Sequence, residues 1–214
     1  MNPDVALALA KAPEPARAAV QALWALDEAL GRVLATGREP MISRIRLAWW
    51  REALERLDRE PAPREPVLES LTREVLPRGI RGAELAEMEP GWALLPGDQP
   101  ITREDLEAYA QARGGLLFRY TAHLLGGSGE VEPAGETWAL VDLARHSSEA
   151  SDVEAALAAA RERPLPRRWP RALRPLGMLA ALARRDLERG PARWEEPGSP
   201  PRTARMLRHR LTGW

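Results

Sequence analysis

Apolar residues return at helical spacing through most of the chain. Between residues 16 and 34 the positions Ala19, Val20, Leu23, Trp24, Leu30 and Leu34 share one face, opened by Pro13 and Pro15 and closed by Gly37 and Pro40. Ser43 caps a second helix, IRLAWWREALERLD, which stops at the proline-rich loop of residues 61–66. A weaker helix covers 67–75, and residues 84–100 form a broken segment with room for one turn or two. Thr102, with Asp105 at the capping-box position, starts a long helix over 103–125 that Gly126 and Gly127 end. Further helices are predicted from residue 134 to 148, over 151–163, over 171–190 and over 199–214, the last stopped by Gly213. No run alternates with period two for long enough to form a strand. The chain therefore reads as all-α, a single-domain helical bundle over residues 1–214 without internal repeats.

Several ionisable residues fall on the apolar faces. Asp27 lies inside the stripe of the first helix, with Gly31 one turn later. On the second helix Ile42, Ile45, Trp49, Trp50, Ala53 and Leu57 define a stripe centred on Arg46, while Arg44, Arg51 and Glu55 fall opposite. Leu106, Tyr109, Leu116, Tyr120 and Leu124 share a face with Arg113. Gly114 and Gly115 follow it in mid-helix at a cost of roughly 1 kcal/mol each relative to Ala, which points to a close helix crossing or a ligand-facing gap. Trp138, Asp142 and Arg145 project together, and the i,i+3 spacing lets the acid and the base pair.

An isolated buried charge costs several kcal/mol, so these groups must pair with one another or line a wet cavity. The candidate cavity-lining set is Asp27, Arg46, Trp50, Tyr109, Arg113, Asp142 and Arg145. A satisfied Asp/Arg network with no ligand accounts for the same pattern. His123, His146 and His209 share no metal-ligand spacing and read as surface or capping residues. The tryptophans read as core filling.

Composition narrows the function classes. With 31 basic and 31 acidic residues the formal net charge is +0, so no global field attracts nucleic acid. Lys11 is the sole lysine. There is no cysteine, hence no disulfide framework and no thiolate chemistry. Trp (8) outnumbers Tyr (2) and Phe (1), so Leu and Ala must fill most of the core, which suits helices. The start of the chain does not resemble a secretory signal, and no run of 18 or more apolar residues occurs. The expectation is a cytoplasmic protein without a spanning segment, with peripheral membrane contact left open.

ALWALDEALGRVL, followed by REPMISRIRLAWWREAL, resembles the start of the squalene/phytoene synthase family. DLEAYAQARGGLLFRYTAHLLG resembles that family's "Y…AG" helix, and GETWALVDLARHSS falls where its second aspartate motif belongs. The resemblance implies an all-α bundle of the isoprenoid synthase type around a central cavity. It also implies isoprenyl diphosphate substrates bound through Mg²⁺ on two acidic motifs. This chain departs from the motifs. Gly31, Arg32 and Ala35 stand where metal-binding aspartates belong, and in the second motif Asp142 replaces an Asn, Arg145 is kept, His146 replaces an Asp, and Glu149 alone remains of the acidic end.

Two readings follow. In the first the chain is a non-catalytic family member acting in assembly or ligand binding, with no cofactor and no metal, and with a protein partner or an isoprenoid-like ligand. It then resembles the degenerate branch that includes mitochondrial proteins needed for complex I assembly. In the second it is a transferase or binder of isoprenyl diphosphates whose Arg46, Arg113 and Arg145 hold the phosphates, with Mg²⁺ reduced or absent.

Overall fold

Proline sets the start of most helices in this molecule. A proline in the first turn opens α1 (Pro3–Leu9), α2 (Glu14–Thr36), α3 (Pro40–Arg56), α4 (Pro66–Glu74), α6 (Glu89–Ala93), α9 (Glu132–His146), α11 (Arg174–Arg189) and α12 (Pro200–Thr212). Its missing N–H costs nothing there and its fixed φ already suits the helix. The remaining helices are α5 (Gly82–Ala86), α7 (Arg103–Tyr109), α8 (Leu116–Leu124) and α10 (Ala150–Arg161). The structure is a computed structural model that describes residues 1–37, 39–97 and 101–214. Among the described residues there is no strand, and no helix is long and apolar enough to cross a membrane.

The long predicted helix over 103–125 is present as α7, a single π-helical turn at Ala110–Gly115, and α8. Thr102 caps it as its sequence predicts, with Asp105 accepting from the Thr102 backbone N–H at 3.0 Å. The broken segment resolves into two short helices, α5 and α6, and its tail, residues 98–100, lies outside the described residues. The short α1 was not evident from apolar spacing, since seven residues give too few turns to establish a period.

The core is Leu- and Trp-rich. Leu23, Leu26 and Leu30 of α2 are fully buried, together with Leu47 and Leu54 of α3, Leu68 and Leu71 of α4, and Phe118 of α8. Trp24 meets Trp138 edge to face at 5.1 Å and donates its Nε1–H to Thr121 Oγ1 at 3.0 Å. The tightest crossing joins the π-helical turn to α9. A Cβ on Gly114 would lie 2.2 Å from the Gly135 carbonyl oxygen, and one on Gly135 would lie 2.1 Å from that of Gly114, so only glycine fits at either position. Beyond α9, α11 packs on α9 and carries both α12 and α1.

The face assigned to α3 from sequence needs correction. Ser43, Leu47, Trp50, Ala53 and Leu54 turn inward, whereas Ile42, Ile45 and Trp49 are exposed, and Arg46 with them. The helix has two apolar faces, and the sequence reading merged them. His209 is likewise not a surface residue. It is buried between Trp169 and Gly177, close to the Trp214 backbone.

Candidate functional site

Three elements converge at one end of a half-open pocket of about 570 Å³. Asp27 comes from α2, Arg113 from the π-helical turn and Asp142 from α9. A π turn fits an extra residue into the helix and so re-aims the side chains it carries. Here it directs Arg113 into the bundle beside the Gly114–Gly135 crossing.

The Arg113 guanidinium is almost completely engaged. Its Nε donates to Asp27 Oδ1 at 2.9 Å and its Nη2 to Asp27 Oδ2 at 3.1 Å, a bidentate pair. Nη1 donates to Asp142 Oδ2 at 2.7 Å and also to the Tyr109 hydroxyl. The guanidinium carbon lies 4.3 Å from the centre of Trp92 and 4.7 Å from that of Trp138, so aromatic faces cover what the carboxylates leave.

Two carboxylates sharing one cation leave an excess of negative charge in a buried place. Burial raises the Asp27 pKa above the ordinary carboxylate value and the Asp142 charge adds to it, while Arg113 opposes. The Tyr109 hydroxyl is pushed up, chiefly by burial. Burial disfavours the charged form of Arg113, but Asp27, Tyr109 and Asp142 outweigh it and hold the guanidinium firmly protonated.

The rest of the cavity is mostly apolar, walled by Trp24, Trp92, Leu34, Leu95 and Leu143. Trp92 turns its buried Nε1–H toward Asp27, where it favours the charged carboxylate. At the rim stand Arg32, Glu28 and His146, whose Nδ1 lies 2.7 Å from the Asp142 carbonyl oxygen.

This donor set does not fit the Mg²⁺ that the resemblance implies. A hard octahedral ion needs several free carboxylate oxygens, yet both oxygens of Asp27 and one of Asp142 already accept from Arg113. A Cβ at Gly31, where the resemblance places a ligand, would sit 3.0 Å from the Trp92 ring, a tight contact that the ring must ease by a few tenths of an ångström. Among the described residues no three His, Asp or Glu side chains converge to hold an ion. Glu149, the last acid of the second motif, is an exposed residue at the start of α10.

Of the seven residues singled out from sequence, Asp27, Tyr109, Arg113 and Asp142 come together here. Three do not. Arg46 is exposed on α3 and makes no part of the cavity. Trp50 is buried, but its ring lies edge-on to Trp49 at 5.3 Å, away from the cavity lining. Arg145 points inward without pairing to Asp142. Its Nη1 donates to Asp186 Oδ2 at 3.2 Å and its Nη2 to the Glu195 carbonyl at 2.8 Å, because α11 supplies a nearer acid. Trp92 went unrecognised, and so did Asp186, although the latter was detectable as one more acid among the apolar positions Leu179, Leu182 and Ala183 of its helix.

No curated protein and no solved structure matches the chain. The model of one family, squalene/phytoene synthase, matches residues 2–172, a span that includes α2, the π-helical turn and α9 with the whole Asp27–Arg113–Asp142 cluster. By this match over most of its length, the chain belongs to the squalene/phytoene synthase family.

Proposed function

We propose that this chain is a non-catalytic member of the family, one domain over 1–214, that binds an apolar, isoprenoid-like ligand in its cavity without Mg²⁺. The observation that carries the reading is the engagement of Asp27 and Asp142 by Arg113. A resident guanidinium holds the two helices together electrostatically where the family's acidic motifs would hold metal. The long apolar walls suit a hydrocarbon chain. Loss of the chelating positions at Gly31, Arg32 and Ala35 supports placing the chain with the degenerate, assembly-type branch.

The reading with a rebuilt phosphate site is the weaker one. It needs three free arginines, and Arg46 lies outside the cavity, Arg145 serves Asp186, and Arg113 is already paired.

The test is a titration with farnesol and with farnesyl diphosphate, each with and without Mg²⁺, followed through the tryptophans that line the cavity and completed by product analysis. Farnesol should bind equally with and without the metal, and no longer hydrocarbon should form. Mg²⁺-dependent turnover, or diphosphate binding that requires Mg²⁺, would overturn the proposal.

A further inference from the structure

The chain has as many acids as bases, yet its bases gather toward the end of the sequence. Residues 163–174 and 197–214 carry nine arginines and no acid. Of these only Arg163 and Arg202 form salt bridges among the described residues. The crowding is felt inside α12, where burial lowers the Arg205 pKa and the charges of Arg184 and Arg208 add to the shift.

The fold gathers part of this surplus around one opening. The Trp169 N–H donates to the Gly213 carbonyl at 3.0 Å, and Arg174 Nη1 donates to the Arg210 and Leu211 carbonyls at 3.1 and 2.9 Å. The 3₁₀ turn Arg171–Leu173 is thereby tied to the last turn of α12, which brings Arg171 and Arg210 to the same place. The segment between α1 and α2, with Lys11, and the start of α2, with Arg17, complete a second pocket of about 610 Å³ whose other lining residues are alanines and a proline.

Lys11, Arg17, Arg171 and Arg210 thus surround one pocket, and no acid lines it. Among the described residues none of the four forms a salt bridge. Glu14, also at the start of α2, is exposed and outside the lining, and Glu74, which approaches Pro15 through Arg78, already pairs with Arg73 and Arg78. Arg17 Nη2 donates to the Ala12 carbonyl at 3.1 Å, while its Nε is buried with no acceptor among the described residues. The carbonyls at the end of α12, which draw cations by the helix dipole, are taken by Arg174. Like charges gathered without a counter-charge repel one another, and an anion between them removes that cost.

The lining also defines the anion. A guanidinium fork matches the oxygens of a phosphate, and the lysine ammonium adds a point charge. A single phosphate dianion cannot balance four cations. No aromatic ring lines the pocket to stack on a base, and alanine and proline offer little surface for a hydrocarbon chain, so the phosphates themselves are what this site recognises. We infer that the pocket binds an anion carrying two or more phosphate groups, free or at the head of a lipid, held by Arg17, Arg171, Arg210 and Lys11 without a metal ion. The inference is independent of the ligand beside Arg113, since the two pockets share no lining residue.

The experiment is calorimetric titration of the full chain with inorganic pyrophosphate and with orthophosphate at about 0.15 M salt, without divalent cations. Pyrophosphate should bind at a single site, at least about 10-fold more tightly than orthophosphate. Arg171→Ala and Arg210→Ala should each weaken it about 10-fold, and Arg171→Lys should recover part of the loss. Neither side chain has a partner within the described residues, so far-UV circular dichroism should be unchanged. Arg46→Ala, at an exposed arginine outside the pocket, should bind like the parent. Flotation with phosphatidylcholine vesicles containing about 5% of a phosphatidylinositol bisphosphate separates the two sources. Flotation that pyrophosphate competes away assigns a lipid headgroup, and pyrophosphate binding without flotation assigns a free anion. Absence of pyrophosphate binding, equal affinity for orthophosphate, a requirement for Mg²⁺, or equal losses from Arg171→Ala and Arg46→Ala would each overturn the assignment.

Discussion

Two guanidiniums in this molecule each lie buried between a pair of aspartates, Arg113 at the end of the cavity and Arg202 in the seam between α1, α11 and α12. Arg202 Nε donates to Asp4 Oδ2 at 2.8 Å, and its Nη1 reaches both oxygens of Asp186 at 2.7 and 2.9 Å. The acids of that seam have further donors: Asp4 Oδ1 accepts from the Gly198 N–H at 2.9 Å, and Asp186 accepts from Arg145. Only about 30 Å³ of space is left beside it, against about 570 Å³ beside Arg113. The same chemistry serves a stitch in one place and the end wall of a chamber in the other, and the space beside the charges distinguishes them.

The sharpest way to test this contrast is to remove each arginine. Arg113→Leu strands Asp27, which is buried and gives both its oxygens to the guanidinium, and should cost about 3 to 5 kcal/mol in urea unfolding at pH 7. That loss should shrink as the pH falls toward 4, because burial already raises the Asp27 pKa and the stranded acid takes up a proton. Arg202→Leu should cost less, about 2 kcal/mol, since Gly198 and Arg145 continue to serve its acids. Equal losses would erase the distinction.

His209 adds a pH dependence on the α12 side alone. Burial lowers its pKa from 6.5 to about 4, and Arg184, Arg205 and Arg174 reinforce the shift. The unfolded chain therefore binds the proton more readily, and the contribution is present above pH 6.5 and lost as the pH falls toward 4. Between pH 7 and pH 5 the loss should be about 2 kcal/mol, and His209→Leu should remove this dependence in parallel urea titrations. On the cavity side, Gly114→Ala should cost about 2 kcal/mol by forcing a methyl group into the Gly135 carbonyl. Thr121→Val, which leaves Trp24 Nε1 without its acceptor, should cost about 1 kcal/mol in the same assay.

The helix pattern was legible because proline, glycine and caps mark boundaries locally, without reference to tertiary structure. The four residues of the cavity end were legible for a related reason, since each is a polar group on a face otherwise apolar. The pattern failed on α3, where a second, exposed apolar face draws the apparent stripe toward Arg46. It failed again at Arg145. Spacing shows that Asp142 is within reach, but cannot show that Arg113 and Asp186, 29 and 41 residues away, compete for the two partners. The π-helical turn leaves no mark beyond its two glycines.

Backbone touching backbone at Gly114 and Gly135 has a mechanical consequence. Two main chains already in contact cannot approach further, and the paired charges beside them resist separation, so the deep end of the chamber is pinned. Any breathing that admits a guest must then come from the other end, where α1, the close of α2 and the segment after α6 form the doorway.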